Sequence, residues 1–270
     1  YQRQRHLWTM IDGGPGGGIH RSTDGGETWS KITSGLPGGD LGKIGLAASP
    51  SHPNIVYAVV EADTKGKGLY RSTDFGVTWE KRSSKTSGGP MYYNEITVDP
   101  NDPNRVYLVD TFLSRSEDGG KSFNRVPIKH KHVDSHVLWV NPDNSNHIRE
   151  GNDGGLYESF DRGENWRHYR NIPIAQFYRI EADNEFPFYN VYGGTQDNYS
   201  LEAPSRTVNT HGIVTSDWKI TWNGDGFETA TDPVDSNIIY PQMQHGVIGR
   251  FDRSTGESVN IQPQPDKGEN

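Results

Sequence analysis

Ser72-Thr-Asp-Phe-Gly-Val-Thr-Trp79 is one of four copies of a single pattern. Ser22-Thr-Asp-Gly-Gly-Glu-Thr-Trp29, Ser116-Glu-Asp-Gly-Gly-Lys-Ser-Phe123 and Ser159-Phe-Asp-Arg-Gly-Glu-Asn-Trp166 align with it without gaps, as Ser-x-Asp-x-Gly-x-(Thr/Ser/Asn)-(Trp/Phe). The aspartates Asp24, Asp74, Asp118 and Asp161 lie 50, 44 and 43 residues apart. A weaker copy, Phe251-Asp-Arg-Ser-Thr-Gly-Glu257, places Asp252 a further 91 residues on, or two periods. A degenerate unit is therefore expected between them, near Ser205-Arg-Thr207.

Outward from these marks the rest of each unit repeats as well. Apolar runs ending in Leu-Ala-Ala-Ser-Pro50, Ile-Thr-Val-Asp-Pro100, Leu-Trp-Val-Asn-Pro142 and Thr-Ala-Thr-Asp-Pro233 come first. Second runs follow, such as Asn54-Ile-Val-Tyr and Asn104-Arg-Val-Tyr, then Gly68-Leu-Tyr-Arg or Gly155-Leu-Tyr-Glu just ahead of the motif, and a short run after it. Proline closes the first run because it cannot donate to a ladder and biases its predecessor away from helix. Four short strands in ~40–45 residues make the blade of a β-propeller.

Composition agrees. Glycine accounts for 32 and proline for 16 of 270 residues, and the longest stretch without either is 15 residues, Asn104 to Asp118, which alternates apolar and polar side chains. That leaves little room for helices. Mean hydropathy is −0.83, yet 7 Trp, 13 Tyr and 9 Phe are regularly spaced, which a solvated tail lacks. A net charge of −8, with 27 basic residues scattered among 35 acidic ones, excludes the clustered cations that nucleic acid requires. No run reaches the ~20 apolar residues of a membrane span, and with no cysteine there is neither a disulfide nor a thiolate metal site.

The repeated motif resembles the Asp box, the turn between the third and fourth blade strands in sialidases, the sortilin ectodomain and bacterial xyloglucanase-like proteins. Each copy supplies a serine, an aspartate, a glycine and an aromatic residue: Ser22, Asp24, Gly26, Trp29; Ser72, Asp74, Gly76, Trp79; Ser116, Asp118, Gly120, Phe123; and Ser159, Asp161, Gly163, Trp166. The carboxylate is expected to accept N–H bonds of its own turn, the glycine to take positive φ, and the aromatic ring to be core. These residues read as scaffold, because single carboxylates on separate blades cannot supply the 6–8 converging oxygens of a calcium site. The units end near residues 32, 82, 126, 169, 215 and 262, about six, the first lacking two strands. Blades are thus expected over 1–263 and a polar tail over 264–270, and a closed propeller of seven or more blades requires the remaining blades from a longer chain.

Further stretches are similar to bacterial secreted proteins described as sortilin-like or BNR-repeat glycosyl hydrolase-like, usually tandem propellers. They are Gly13-Gly-Pro-Gly-Gly-Gly-Ile-His-Arg-Ser22, His132-Val-Asp-Ser-His-Val-Leu-Trp139, Gly151-Asn-Asp-Gly-Gly-Leu-Tyr157, Gln176-Phe-Tyr178, Tyr192-Gly-Gly-Thr-Gln-Asp-Asn198, Ser205-Arg-Thr207, Asp217-Trp218 and Gly224-Asp-Gly-Phe227. The resemblance implies export, to a secreted, periplasmic or cell-surface location. It does not specify a reaction.

Aligning the units puts His132, Asp134 and His136 at the start of the fourth unit's inner strand, with Asn152 and Asp153 after its second strand. Gln176 and Tyr178 start the fifth, Gln196, Asp197 and Asn198 follow its second strand, and Asp225 starts the sixth. The early units offer only Lys43 and Asn94 there. Loops at these positions carry function in such scaffolds, and three readings stay open. Carboxamides and carboxylates, with Trp139, Trp218 or Trp222 for stacking, suit a protein or glycan ligand. Two of Asp134, Asp153, Asp197 and Asp225 suit glycoside hydrolysis if ~5–9.5 Å apart. His132-x-Asp134-x-His136 on one strand face suits a divalent metal, the one cofactor the residues offer a place for. Against all three stands the reading that Asn152-Asp-Gly-Gly155 and Thr195-Gln-Asp-Asn198 are self-capping turns and the histidines satisfied strand residues. A sialidase is disfavoured, since Tyr178-Arg-Ile-Glu181 only partly resembles its arginine motif, and there is no Gly-x-Ser-x-Gly elbow or phosphate loop.

Overall fold

A computed structural model of the chain describes residues 4–63, 65–90, 92–172 and 174–265. The last five residues of the expected tail lie outside the described residues, while Gln264 and Pro265 follow the final strand without regular structure. The chain divides into two compact units, one up to Arg170 and one from Asn171.

The first unit opens with two two-stranded sheets, β1 (Gln4–Arg5) with β2 (Met10–Ile11) and β3 (Ile19–Arg21) with β4 (Ser30–Ile32). Three four-stranded antiparallel meanders follow. They are β5 (Ile44–Ala48), β6 (Val56–Val60), β7 (Gly68–Ser72) and β8 (Glu80–Ser83); β9 (Glu95–Val98), β10 (Val106–Val109), β11 (Ser114–Ser116) and β12 (Asn124–Arg125); and β13 (Ser135–Val140), β14 (Ile148–Asn152), β15 (Gly155–Ser159) and β16 (Arg167–His168). The second unit holds two more: β17 (Phe177–Ala182), β18 (Asn190–Thr195), β19 (Ser200–Pro204) and β20 (Lys219–Trp222), then β21 (Thr229–Thr231), β22 (Ile238–Met243), β23 (Val247–Asp252) and β24 (Glu257–Asn260). Each is a propeller blade, so the all-β Asp-box architecture expected from the repeat is the one found, with β3 and β4 as the incomplete first unit.

Two local devices recur along the blades. At the end of the first strand Asp99, Asn141, Asp183 and Asp232 accept the N–H two residues on, at 2.8 to 3.1 Å, while their own N–H groups bond back to the start of the second strand. The residue before each proline is thus the turn's cap, and Asp183 builds the same turn without a proline. The second device is the Ser-x-Asp-x-Gly turn. Asp74 Oδ1 accepts from Ser72 Oγ (2.7 Å), Val77 N (3.0 Å) and Thr78 N (2.9 Å), and its Oδ2 from Thr78 Oγ1 (2.6 Å). Ser72 Oγ in turn accepts the N–H of Gly76 at 2.9 Å, which requires φ of 82° at that glycine. Asp24, Asp118 and Asp161 repeat the scheme. Hence Asp24, Asp74 and Asp118 sit well below the ordinary carboxylate range, chiefly through the hydroxyl four residues on. The long loop from Ser205 to Trp218 takes the place of this turn in the fifth unit.

Packing differs between the units. In the first, consecutive sheets are joined by apolar clusters: Ile19, Leu41, Ala58, Val60, Tyr70 and Trp79; Tyr57, Val59, Leu69, Ile96, Val106 and Leu108; then Tyr107, Val109, Leu113, Leu138, Val140 and Ile148. Each such side chain contributes roughly 1.5–3 kcal/mol on burial. Trp79 is 6% exposed, but Trp29 is 62% exposed, contrary to the expectation that every ring of the motif is core. The physical reason is that Trp79 packs into the cluster of Ile19 and Leu41, its backbone N–H bonded to Ser34 O, whereas no four-stranded sheet precedes Trp29 among the described residues. In the second unit a charged network is buried beside Tyr192, Ala203, Ile238 and Ile239. Arg253 reaches Glu202 (2.9 Å), Glu185 (3.3 Å) and Asp183 (3.6 Å), and Tyr192 donates to Asp183 at 2.7 Å. Burial opposes ionisation of Asp183, but the bonds from Tyr192 and Asn190 hold its pKa low.

Groups whose folded pKa is depressed lend stability that is complete above the ordinary carboxylate value and lost as pH falls through the folded one. Asp118→Ala is therefore expected to lower Tm by about 5 °C at pH 7 and by progressively less as pH falls below 4, measured by thermal melting from pH 7 to pH 2; a loss independent of pH rejects the capping role.

Candidate functional site

In the first unit the start of β13 gathers polar groups. Asp134 takes positive φ (60°), as Asn94 does (65°) one residue before β9, so the chain turns left-handed into both inner strands. Asn94 is buried and spends its amide on Lys43 O (2.8 Å) and Val59 O (3.2 Å). Asp134 Oδ1 accepts from the Tyr93 hydroxyl at 2.9 Å, and His136 Nε2 lies 2.8 Å from Asp153 Oδ1. The Tyr93 ring stacks on His136 with centroids 5.6 Å apart, and oxygens of Asp134 and Asp153 come within 4.8 Å of each other. Burial foremost, with the bond and charge of Asp134 and the charge of Asp153, raises the Tyr93 hydroxyl to about 12 against a lowering bond from Thr111.

His132, Asp134 and His136 do not converge as metal ligands. Among the described residues they form no group with ligand atoms within 4.8 Å; His132 Nδ1 is 3.0 Å from Val133 O, and the left-handed Asp134 breaks the alternation that would put all three on one face. Asn152 is occupied structurally. Its Nδ2 donates to His132 O (3.2 Å) and Glu150 Oε1 (3.1 Å), and its Oδ1 accepts from Gly154 N (2.9 Å).

Behind this surface lies a pair that the sequence reading missed. Lys131 Nζ and Glu150 Oε1 are 2.5 Å apart, both side chains 0% exposed. Ser135 Oγ donates to the same oxygen at 2.7 Å, and Lys131 lies 5.3 Å from the centre of the Trp166 ring. Glu150 pairs with Leu138 and Tyr157 at the position that Ala58 and Leu108 hold in the two preceding blades. A charge in an otherwise apolar column was the available signal.

The second unit carries its own cluster at the starts of β17 and β21. Asp225 Oδ1 accepts from Asp197 N at 3.0 Å, and Asp225 N donates to Gln244 Oε1 at 2.8 Å. Burial first, then a carboxyl–carboxyl hydrogen bond and the charge of Asp197, raises the pKa of Asp225, while the Asp197 N–H and His245 lower it. Tyr178 donates to Gln196 Oε1 at 2.5 Å and stacks on Phe227 at 5.3 Å, interplanar angle 6°. Asn198 Nδ2 donates to Gln196 O at 3.1 Å, and Gln176 is exposed just ahead of β17.

The BNR/Asp-box repeat model matches residues 20–31 and 70–81. The chain carries BNR/Asp-box repeats. Both matches cover the turns described above, and the structural copies at Asp118 and Asp161 extend the array. No curated protein matches the Asp-box chain. Among solved structures, an ancestral GH74 enzyme is 16% identical over 90% of this chain and 35% of its own, TM-score 0.43. The GH74 xyloglucanase from Xanthomonas campestris is 17% identical over 84% and 38%, TM-score 0.37, and YCF48 from Cyanidioschyzon merolae 17% over 80% and 69%, TM-score 0.35. The Asp-box chain spans little more than a third of the length of those GH74 structures.

Breaking the buried pair on one side leaves an uncompensated charge. Lys131→Met alone is expected to cost about 3–5 kcal/mol and Lys131→Met with Glu150→Met distinctly less, read from urea unfolding midpoints; equal costs show that the pair does not interact. Asp225, raised in the folded chain, contributes stability that is present at low pH and lost as pH rises through its folded value. Asp225→Asn is expected to raise Tm at pH 8 and change it little at pH 4, and a uniform drop at both contradicts the carboxylate pairing.

Proposed function

We propose that this Asp-box chain acts as a binding or assembly module whose strand-start loops take a protein or glycan ligand. One observation carries the reading: each carboxylate at these positions already has a partner that positions it. Tyr93 holds Asp134, His136 meets Asp153, and Asp197 and Asp225 hydrogen-bond each other. A two-carboxylate hydrolase instead separates its acid from its nucleophile or base by ~5–9.5 Å, with sugar or water between. Asp197 and Asp225 are too close for that, whereas fixed acceptors beside the exposed rings of Tyr178 and His136 suit recognition of hydroxyl or N–H donors.

Export from the cytoplasm and assembly with further blades of a longer chain belong to the same reading. Among the described residues no helix is long and apolar enough to cross a membrane. Glycoside hydrolysis is the second reading, with Asp134 and Asp153 as its carboxylates, since each is held by a separate partner, Tyr93 and His136.

A glycan array and a tamarind-xyloglucan reducing-sugar assay on the same preparation separate the two. Expected are ligand retention that falls at least about tenfold in Asp153→Asn or Asp225→Asn and no release of reducing ends. Turnover abolished by Asp134→Asn and Asp153→Asn establishes the hydrolase instead.

A further inference from the structure

The second unit contains a cleft away from the strand starts. In β20, Trp222 packs on the sheet formed by β22 to β24 at Gly249, and the half-exposed Ile220 stands beside it. A Cβ at Gly249 would fall 2.5 Å from indole carbons of Trp222, so the ring lies directly on the β23 backbone. Beyond that contact the two sheets part, leaving a cleft of about 530 Å3 lined by Ile220, Trp222, Met243, Val247, Ser258 and Asn260, among others.

Two features of the lining bear on what enters it. Every described residue around the cleft is uncharged, in a chain of which 23% is charged. Facing sheets usually close on interdigitating apolar side chains, yet here the edge strand presents Ser258 and Asn260 to the gap. Register explains their shared aspect: Asn260 pairs with Gly249 and Ser258 with Phe251, and Met243 with Val247, so alternate residues of β22 to β24 share one face. Asn260 Oδ1 accepts the Gln262 N–H at 2.8 Å, which fixes the carboxamide and leaves its NH2 group as donor.

We propose that this cleft is a binding site for a neutral oligosaccharide, the sugar face resting on Trp222 and Met243 and its hydroxyls bonding to Asn260 and Ser258. An indole beside carboxamide and hydroxyl groups matches the alternation of C–H faces and O–H edges in a sugar ring. Among the described residues of the lining an anionic saccharide or basic peptide would find no counter-charge to offset its desolvation. The volume lies within the range of small-molecule sites. The cleft shares no residue with the Asp197 and Asp225 cluster, and the inference stands independently of the reading above.

The test titrates cellotetraose, xylotetraose, mannotetraose and chitotetraose, to about 10 mM, into the full chain, followed by tryptophan emission and calorimetry. At least one is expected to bind saturably with a change in emission. Asn260→Ala and Ser258→Ala, at exposed positions, should each weaken it about fivefold or more, and Trp222→Phe should abolish the emission change; urea midpoints confirm folded variants. Lack of binding by all four, or binding unaltered in Asn260→Ala and Trp222→Phe, overturns the site. Binding that follows Asp225→Asn but not Asn260→Ala overturns it too, while leaving the strand-start reading standing.

Discussion

The aspartate that collects four donors within seven residues of chain is the constraint on which the rest depends. A third and a fourth strand can pair only if the backbone reverses between them with its N–H groups satisfied. Asp74 satisfies that requirement from inside the turn. The turn residue after Asp74 also donates to Asn54 O, tying the reversal to the start of the second strand. The same bond recurs from Gly119 to Asn104, Arg162 to Asn146 and Arg253 to Asn237. Both ends of the middle hairpin are thereby fixed, and the sheets can present apolar faces to one another.

That logic explains what was legible in the sequence. The capping aspartate, its serine, its glycine and the residue before each proline act on atoms two to four positions away, so the pattern states the contact. Strand number and the presence of a degenerate fifth unit followed from it, although that unit's fourth strand, Lys219–Trp222, lies beyond the expected end near residue 215. Tyr93 with Asp134 and Lys131 with Glu150 are different, joining residues 41 and 19 positions apart, and spacing alone cannot reveal such pairs. His132, Asp134 and His136 failed as a metal set for a related reason: the alternation assumed a strand where Asp134 turns left-handed. Asn152 has all its polar capacity spent on the loop, as self-capping turn residues commonly do.

The two units solve burial differently. Tyr57, Tyr107, Leu69 and Leu108 are fully enclosed in the first, where ordinary apolar packing joins the sheets. The second places Arg253 among three carboxylates with Tyr192 beneath, an arrangement that specifies partners by charge and is costly to break on one side. The first unit also buries charge, as Lys131 against Glu150, but there beside apolar clusters that join the sheets, whereas the polar lining of the second unit's cleft accords with its charged network.

Every four-stranded sheet uses strands consecutive in the chain, hydrogen-bonded in their order of appearance. Nothing in a blade waits for a distant segment, so each meander can close as soon as its own last strand has left the ribosome. Only the packing of one sheet on the next is long-range, and it runs in the order of synthesis. A chain assembled this way grows by adding blades at its end, with the turn aspartate acting as the completion mark of each.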